Sequence, residues 1–272
     1  MRFNIKLLGS LEASLDDTSI VPSAAKQRQL LALLALNAGR AVSMSTMMAE
    51  LWGDQQPRAA STTLHTYIGK LRRELELALQ PHSDFDAKRL LVTEPVGYSL
   101  RAPSSDTDVG RYEHLATAGR VAADRGDYET ASRNLTAALS LWRGMALSDV
   151  IAGQHLSVEI VRLEENRLSD LDLRIESDLR LGRHRKQLGE LAGLCARFPL
   201  AENFSTKYML ALYRSGQQWR ALEVFQRLRS TMTEELGVEP SNNMQRLHMA
   251  MLRDDPGVAG PRPLDNDWVS AG

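Results

Sequence analysis

Between Arg58 and Leu79 the sequence RAASTTLHTYIGKLRRELELAL carries two patterns at once. Leu64, Ile68, Leu71 and Leu75 recur at intervals of four, three and four residues, the spacing of one buried helix face. Thr62, Thr63, His65, Thr66, Lys70, Arg72 and Arg73 fall on the other faces. A DNA major groove admits one helix. There Arg and Lys donate to guanine acceptors, a Thr methyl touches the thymine methyl, and spare cations meet phosphate. The same composition also describes an ordinary solvated helix, with Glu74 and Glu76 at hand to neutralise the cations. Taken alone, this helix leaves both readings open.

The elements that would position it can be read on either side. Phe3, Ile5 and Leu7 alternate with polar residues, as do Leu11, Ala13 and Leu15 beyond Gly9, which predicts short antiparallel strands. From Ser23 the spacing becomes helical, and AAKQRQLLALLALNAG stops at Gly39, a good residue for a helix end. SMSTMMAELWG is a second short helix, capped by Ser43 or Ser45 and closed by Gly53, with Pro57 breaking the chain after it. Beyond the third helix, QPHSDFDAK (Gln80–Lys88) reads as a polar loop, and RLLVTEPVGYSLR as two strands around a Pro/Gly turn. Three helices closed by a β-hairpin supply a recognition helix and a wing.

In that order the residues resemble the OmpR/PhoB-type winged helix. The resemblance rests on Leu51-Trp52-Gly53, on Ile68-Gly69-Lys70-Leu71-Arg72-Arg73-Glu74-Leu75, and on Thr93-Glu94-Pro95-Val96-Gly97-Tyr98. It implies that Thr66, Lys70 and Arg72 face bases or the groove and that Arg73 serves phosphate. It also implies that Pro95, Val96 and Gly97 form a wing tip near the minor groove, with Lys88 and Arg89 at its base. Gly69 departs from the pattern by replacing a longer polar residue, at roughly 1 kcal/mol of helix propensity relative to Ala. Trp52, at a helix end, reads as core packing.

APSSDTD (Ala102–Asp108) reads as a linker, and from Asp108 to Arg253 the chain is helical with an internal repeat. Gly126, Gly182 and Gly216 open equivalent segments, and apolar residues follow at Leu135/Ala138, Leu191/Leu194 and Phe225/Leu228. The last two copies lie 34 residues apart, the tetratricopeptide period, whereas the first two lie 56 apart. Stacked helix pairs of this kind form grooves that bind proteins or peptides. Glu234-Glu235-Leu236-Gly237-Val238-Glu239-Pro240-Ser241, followed by NNMQRLHMAMLRDD, resembles the bacterial transcriptional activation domain. A winged helix followed by that domain is similar to the Streptomyces antibiotic regulatory proteins (SARP). The expected fold is mainly α with a small β component. It has an N-terminal OmpR-type winged helix-turn-helix at 1–102, a linker at 103–107 and an all-α tetratricopeptide-like domain at 108–254. A disordered tail is expected at 255–272, where Pro and Gly end the periodicity.

Composition bounds the rest. The chain has 272 residues, 25% of them charged and 43% hydrophobic, with a net charge of −1, which is ordinary globular material. Residues 1–105 hold twelve Lys/Arg against ten Asp/Glu, and the remainder 21 against 24, a modest split that permits an N-terminal nucleic-acid reader. No secretory signal and no membrane span is read, and the expected location is the cytoplasm, at the nucleoid. One cysteine, Cys195, excludes a disulfide framework and reads as a small buried hydrophobe. The six histidines (65, 82, 114, 155, 184 and 248) lack metal-ligand spacing, and there is no phosphate loop or nucleophile elbow. No catalytic residue, cofactor or metal is therefore expected. The resemblance implies an activator that binds direct repeats near a −35 element, two protomers side by side as a homodimer on double-stranded promoter DNA. It would recruit RNA polymerase, including the sigma factor, to a secondary-metabolite gene cluster. Two other readings stay open: a regulator whose repeat groove senses a ligand or peptide, and an interaction scaffold that binds no DNA.

Overall fold

The computed structural model describes residues 3–79 and 86–259. Two compact units emerge: Met1–Thr117 with Ala137–Leu168, and Ala118–Thr136 with Ser169–Gly272.

In the first unit, β1 (Phe3–Lys6), β2 (Glu12–Leu15) and β3 (Thr18–Ser19) form an antiparallel sheet, with Phe3 opposite Leu15 and Ile5 opposite Ala13. The alternation read in the sequence places Phe3, Ile5, Ala13 and Leu15 in the core. Helices α1 (Ala25–Leu36), α2 (Met44–Trp52) and α3 (Ala60–Leu79) follow. Ser43 caps α2 by accepting from the Thr46 N–H at 3.0 Å. The two-residue strand β4 (Val42–Ser43) and the one-turn helix α4 (Ala87–Leu90) are too short to leave a periodic signal. β5 (Leu91–Glu94) and β6 (Gly97–Leu100) make the hairpin, and β4 joins it in the order β4-β6-β5.

The compact units do not follow the segments 1–102 and 108–254. The loop after β1 is held by residues from beyond position 102. Leu7 and Leu8 N–H donate to Asp108 Oδ1 and Oδ2 at 2.7 and 3.0 Å, and Leu11 N–H donates to Asp149 Oδ1 at 2.7 Å. Arg143 and Leu147 N–H donate back to the Leu8 and Leu7 carbonyls at 2.8 and 2.9 Å. Burial pushes the Asp108 carboxyl up, while the two amides pull it the other way.

The helical region runs as α5 (Asp108–Asp124), α6 (Tyr128–Leu139), α7 (Gln154–Arg180), α8 (His184–Arg197), α9 (Glu202–Arg214) and α10 (Gln218–Leu236), with tight turns from α5 to α6, α7 to α8 and α9 to α10. The glycine at each turn has a positive φ: +76° at Gly126, +75° at Gly182 and +79° at Gly216. After each, the next amide reaches back to close the preceding helix: Asp127 to Ala122 O, Arg183 to Asp178 O and Gln217 to Leu212 O, all at 2.9 Å. This is the six-to-one bond of a Schellman end, which explains why glycine marks the repeat. Ala131, Gln187 and Ala221 are buried at the equivalent position of the second helix. Gln187 fits there because its Nε2 donates to Asp178 Oδ2 at 2.7 Å. The 56-residue spacing arises from the 27-residue helix α7 together with the long connection between α6 and α7, whose Arg143, Leu147 and Asp149 serve the first unit.

α11 (Asn242–Leu252) ends in the same way at Asp254 (φ +53°), and Pro256 opens the short helix α12 (Pro256–Ala259). Val258 is buried and its carbonyl accepts from Arg214 Nε at 3.0 Å, so the disorder expected from 255 onward does not hold for 256–259. The rest of that segment, 260–272, and most of the 80–88 loop lie outside the described residues. No helix among the described residues is long and apolar enough to cross a membrane.

Candidate nucleic-acid interface

Helix α3 buries Ala60, Leu64, Ile68, Leu71, Leu75, Ala78 and Leu79, the stripe its sequence spacing requires. Thr62, His65, Thr66, Lys70 and Arg73 are exposed, and Thr63 and Arg72 are half-buried. The Thr66 hydroxyl donates to Thr62 O at 3.0 Å, so towards a base Thr66 offers its methyl and oxygen lone pairs rather than a proton. A Cβ built at Gly69 meets nothing within 4 Å, so this glycine is not a packing requirement. Trp52 packs against the core and stacks on Tyr67 with ring centroids 6.3 Å apart, the packing role read from sequence.

Arg72 does not point outward with its neighbours. Its Nε and Nη2 donate to Leu91 O at 3.0 and 2.7 Å, Nη2 also donates to Thr93 Oγ1 at 2.9 Å, and the guanidinium lies 5.6 Å from the Tyr98 ring centroid. These bonds leave only the Nη1 protons of Arg72, expected from the resemblance to face bases or the groove, uncommitted to the hairpin. The wing residues separate in the same way. Pro95 and Val96 are exposed at the hairpin tip, Val96 at 61%. Gly97 is buried, and a Cβ there would sit 2.0 Å from Val42 O, so it serves the close approach of β6 to β4. Lys88 and Arg89 are exposed on α4, whose N-cap Asp86 accepts from the Lys88 N–H at 2.8 Å.

The electrostatics favour an anionic partner. Among the described residues Lys70, Arg73, Lys88 and Arg89 form no ion pair, and Glu74 and Glu76, named above as possible neutralisers, pair with none of them. Arg58, exposed just before α3, is likewise unpaired and was not singled out from sequence. In the second unit several cations are committed to acids. Arg183 pairs with Asp178 at 3.0 Å, Lys207 with Asp172 at 2.7 Å and Arg229 with Glu239 at 2.7 Å. Exposed cations without acids beside them are the footprint phosphate binding needs. Among the described residues no cluster of His, Cys, Asp and Glu could hold a metal ion.

Comparison with known proteins identifies two families along the chain. Residues 18–100 match the family described as "Transcriptional regulatory protein, C terminal" and residues 107–252 match "Bacterial transcriptional activator domain". The chain is 48% identical to Regulatory protein DnrI of Streptomyces peucetius over 254 residues, 93% of each protein. It is 35% identical to Regulatory protein AfsR of Streptomyces coelicolor, covering 95% of this chain and 25% of that one. The structure of Mycobacterium tuberculosis EmbR in complex with a low affinity phosphopeptide superposes with a TM-score of 0.84 at 32% identity, over 98% of this chain and 67% of that one.

Proposed function

The chain belongs to the SARP family of transcriptional regulators, which are not enzymes, and from that premise we propose that it is a sequence-specific DNA-binding activator. The observation that carries this reading is that Lys70 and Arg73 on α3 and Lys88 and Arg89 on α4 are exposed and form no ion pair, with Thr62 and Thr66 also exposed on α3 and Pro95 and Val96 exposed at the hairpin tip. Lys70 and the threonines contact bases; Arg73, Lys88 and Arg89 contact phosphate; Pro95 and Val96 approach the minor groove. Residues 1–102 carry the DNA-reading elements and 108–254 the contacts to RNA polymerase and its sigma factor. Two protomers on direct repeats near a −35 element raise promoter occupancy by recruitment. A modest contact suffices, because about 1.4 kcal/mol is tenfold in occupancy. By analogy with DnrI's family the target is a secondary-metabolite gene cluster.

The test is fluorescence anisotropy of the full chain on its own upstream promoter DNA across a salt series. Binding that is selective against unrelated DNA and weakens steeply with salt is expected. An absence of such binding would leave the scaffold reading in its place. The ligand-sensing alternative has one observation of its own. A largely apolar recess of about 320 Å³ lies between α8, α9 and α10, lined by Ala192, Cys195, Tyr208, Val224 and Leu228. DNA binding that appears only with an added small molecule would favour it.

A further inference from the structure

We infer that Arg72 is a positioning residue: it fastens the recognition helix to the wing, and so fixes the separation and angle of two DNA-contacting elements. This rests on the reading of α3 and the hairpin as the DNA interface. Three motif residues that the sequence presents separately meet at this point. Arg72 comes from Leu71-Arg72-Arg73, and Thr93 and Tyr98 come from the hairpin motif. The Arg72 fork reaches the Leu91 main-chain carbonyl and the hydroxyl of Thr93, two residues further along β5, so it holds the strand by both backbone and side chain. Thr93 pairs across the hairpin with Tyr98, whose ring also meets His65 edge-on at 6.4 Å. His65 and Arg72 are seven residues, or two turns, apart on α3, so one wing tyrosine is gripped at two heights of the helix.

The chemistry distinguishes positioning from reading. Of the five guanidinium donors, Nε–H and both Nη2 protons are committed inward, which leaves only the Nη1 pair. A bidentate grip on guanine would have to break the inward set. Intact, that set spares the DNA complex the entropy of ordering the wing against the helix, which is preorganisation. Losing it should therefore weaken every sequence alike, whereas losing a base contact relaxes one position.

The experiment compares the full chain with Arg72→Gln, Thr93→Val and Thr93→Ser on its promoter fragment and on a panel of single base-pair variants of that fragment, with hydroxyl-radical footprinting. Arg72→Gln should lower affinity about tenfold, by the same factor for every fragment in the panel. It should lose protection on the wing side while the α3 side stays protected. Thr93→Val should move the same way to a smaller extent, and Thr93→Ser, which keeps the accepting hydroxyl, should match the parent protein. Loss of discrimination at a single base pair in Arg72→Gln would overturn the inference while leaving DNA binding intact, as would a Thr93→Val variant indistinguishable from the parent. If the parent chain itself binds no fragment selectively, the DNA reading fails and the positioning role fails with it.

Discussion

Glu50 and Gly153 are 103 residues apart in the chain, yet the Gly153 N–H donates to Glu50 Oε1 at 2.6 Å. Glu50 Oε2 accepts from the His155 and Leu156 amides at 2.9 and 3.1 Å, and Gln29 Nε2 donates to Oε1 at 2.8 Å. A helix leaves its first amides without partners, and those of α7 are satisfied here by one buried side chain from α2. The negative charge also sits where the helix dipole favours it. Within the first unit, α2 is thus bonded directly to the first turn of α7.

This lock sets a stability expectation. Glu50→Ala leaves the buried Leu156 amide and the part-buried Gly153 and His155 amides without their acceptor and should destabilise the first unit by about 1–3 kcal/mol. Gly153→Ala should also destabilise it, because the added Cβ would lie 2.1 Å from Glu50 O. Urea unfolding followed by tryptophan fluorescence measures both. A loss below roughly 0.5 kcal/mol for Glu50→Ala would mean that water replaces the carboxylate without cost.

Truncation after the winged helix is affected by the same packing. A fragment of residues 1–105 lacks Asp108, Arg143, Leu147 and Asp149, which bond the loop after β1, and it uncovers Leu7 and Leu8. It is expected to be cut rapidly by protease and to melt far below the full chain. A fragment that melts within a few degrees of the full chain would show that these contacts are dispensable.

On the DNA side, Lys70→Ala should weaken selective binding by roughly 1–3 kcal/mol and relax preference at one base pair. Arg73→Ala should weaken binding to all sequences about equally and reduce the slope of log affinity against log salt by about 1. Salt titrations of both variants separate the two roles. If the two variants behave identically, the assignment of one to base and one to phosphate is wrong.

The sequence made some of this legible for definite reasons. The stripe of α3 declares itself by its period, and the repeat turns declare themselves because a left-handed helix end selects glycine. The packing constraints on Arg72 and Gly97 were not legible because they come from main-chain carbonyls, Leu91 O and Val42 O, which any residue could supply. Glu50 and Asp108 escaped notice for the matching reason: their partners are backbone amides about a hundred residues away, and amides carry no side-chain signature. The compact units were hidden likewise, since the connection between α6 and α7 reads as an irregular spacer until Arg143 and Leu147 are seen on the β1 loop.

Two glycines of the DNA-reading region should respond to alanine in opposite senses. Gly69→Ala adds a methyl into open space within α3 and should raise stability by about 1 kcal/mol. Gly97→Ala forces β6 from Val42 O and the Met44 amide, and should lower stability by more than that gain. Thermal melts of the two variants check this. An equal response in both would contradict the contrast between an open helix face and a closed strand crossing.

The second unit should carry a pH dependence centred on His184. Burial first, and the charge of Arg214 second, push its imidazole from 6.5 down to about 4. Its Nδ1 is buried without a hydrogen-bond partner among the described residues, so the protonated form gains nothing there. A base with a lowered folded pKa stabilises the fold fully above its unfolded value, near 6.5, and loses that contribution as the pH falls through about 4. Stability should therefore decline from pH 6.5 towards pH 4, by less than the full shift implies because His184 is only partly buried. His248, stacked on Phe225 at 3.9 Å and also lowered by burial and by Arg229, adds to the decline in the same direction. His184→Gln should flatten the decline without abolishing it, as read from urea midpoints at half-unit pH steps. An unchanged slope in that variant would place the acid sensitivity elsewhere, with His248→Gln the next variant to measure.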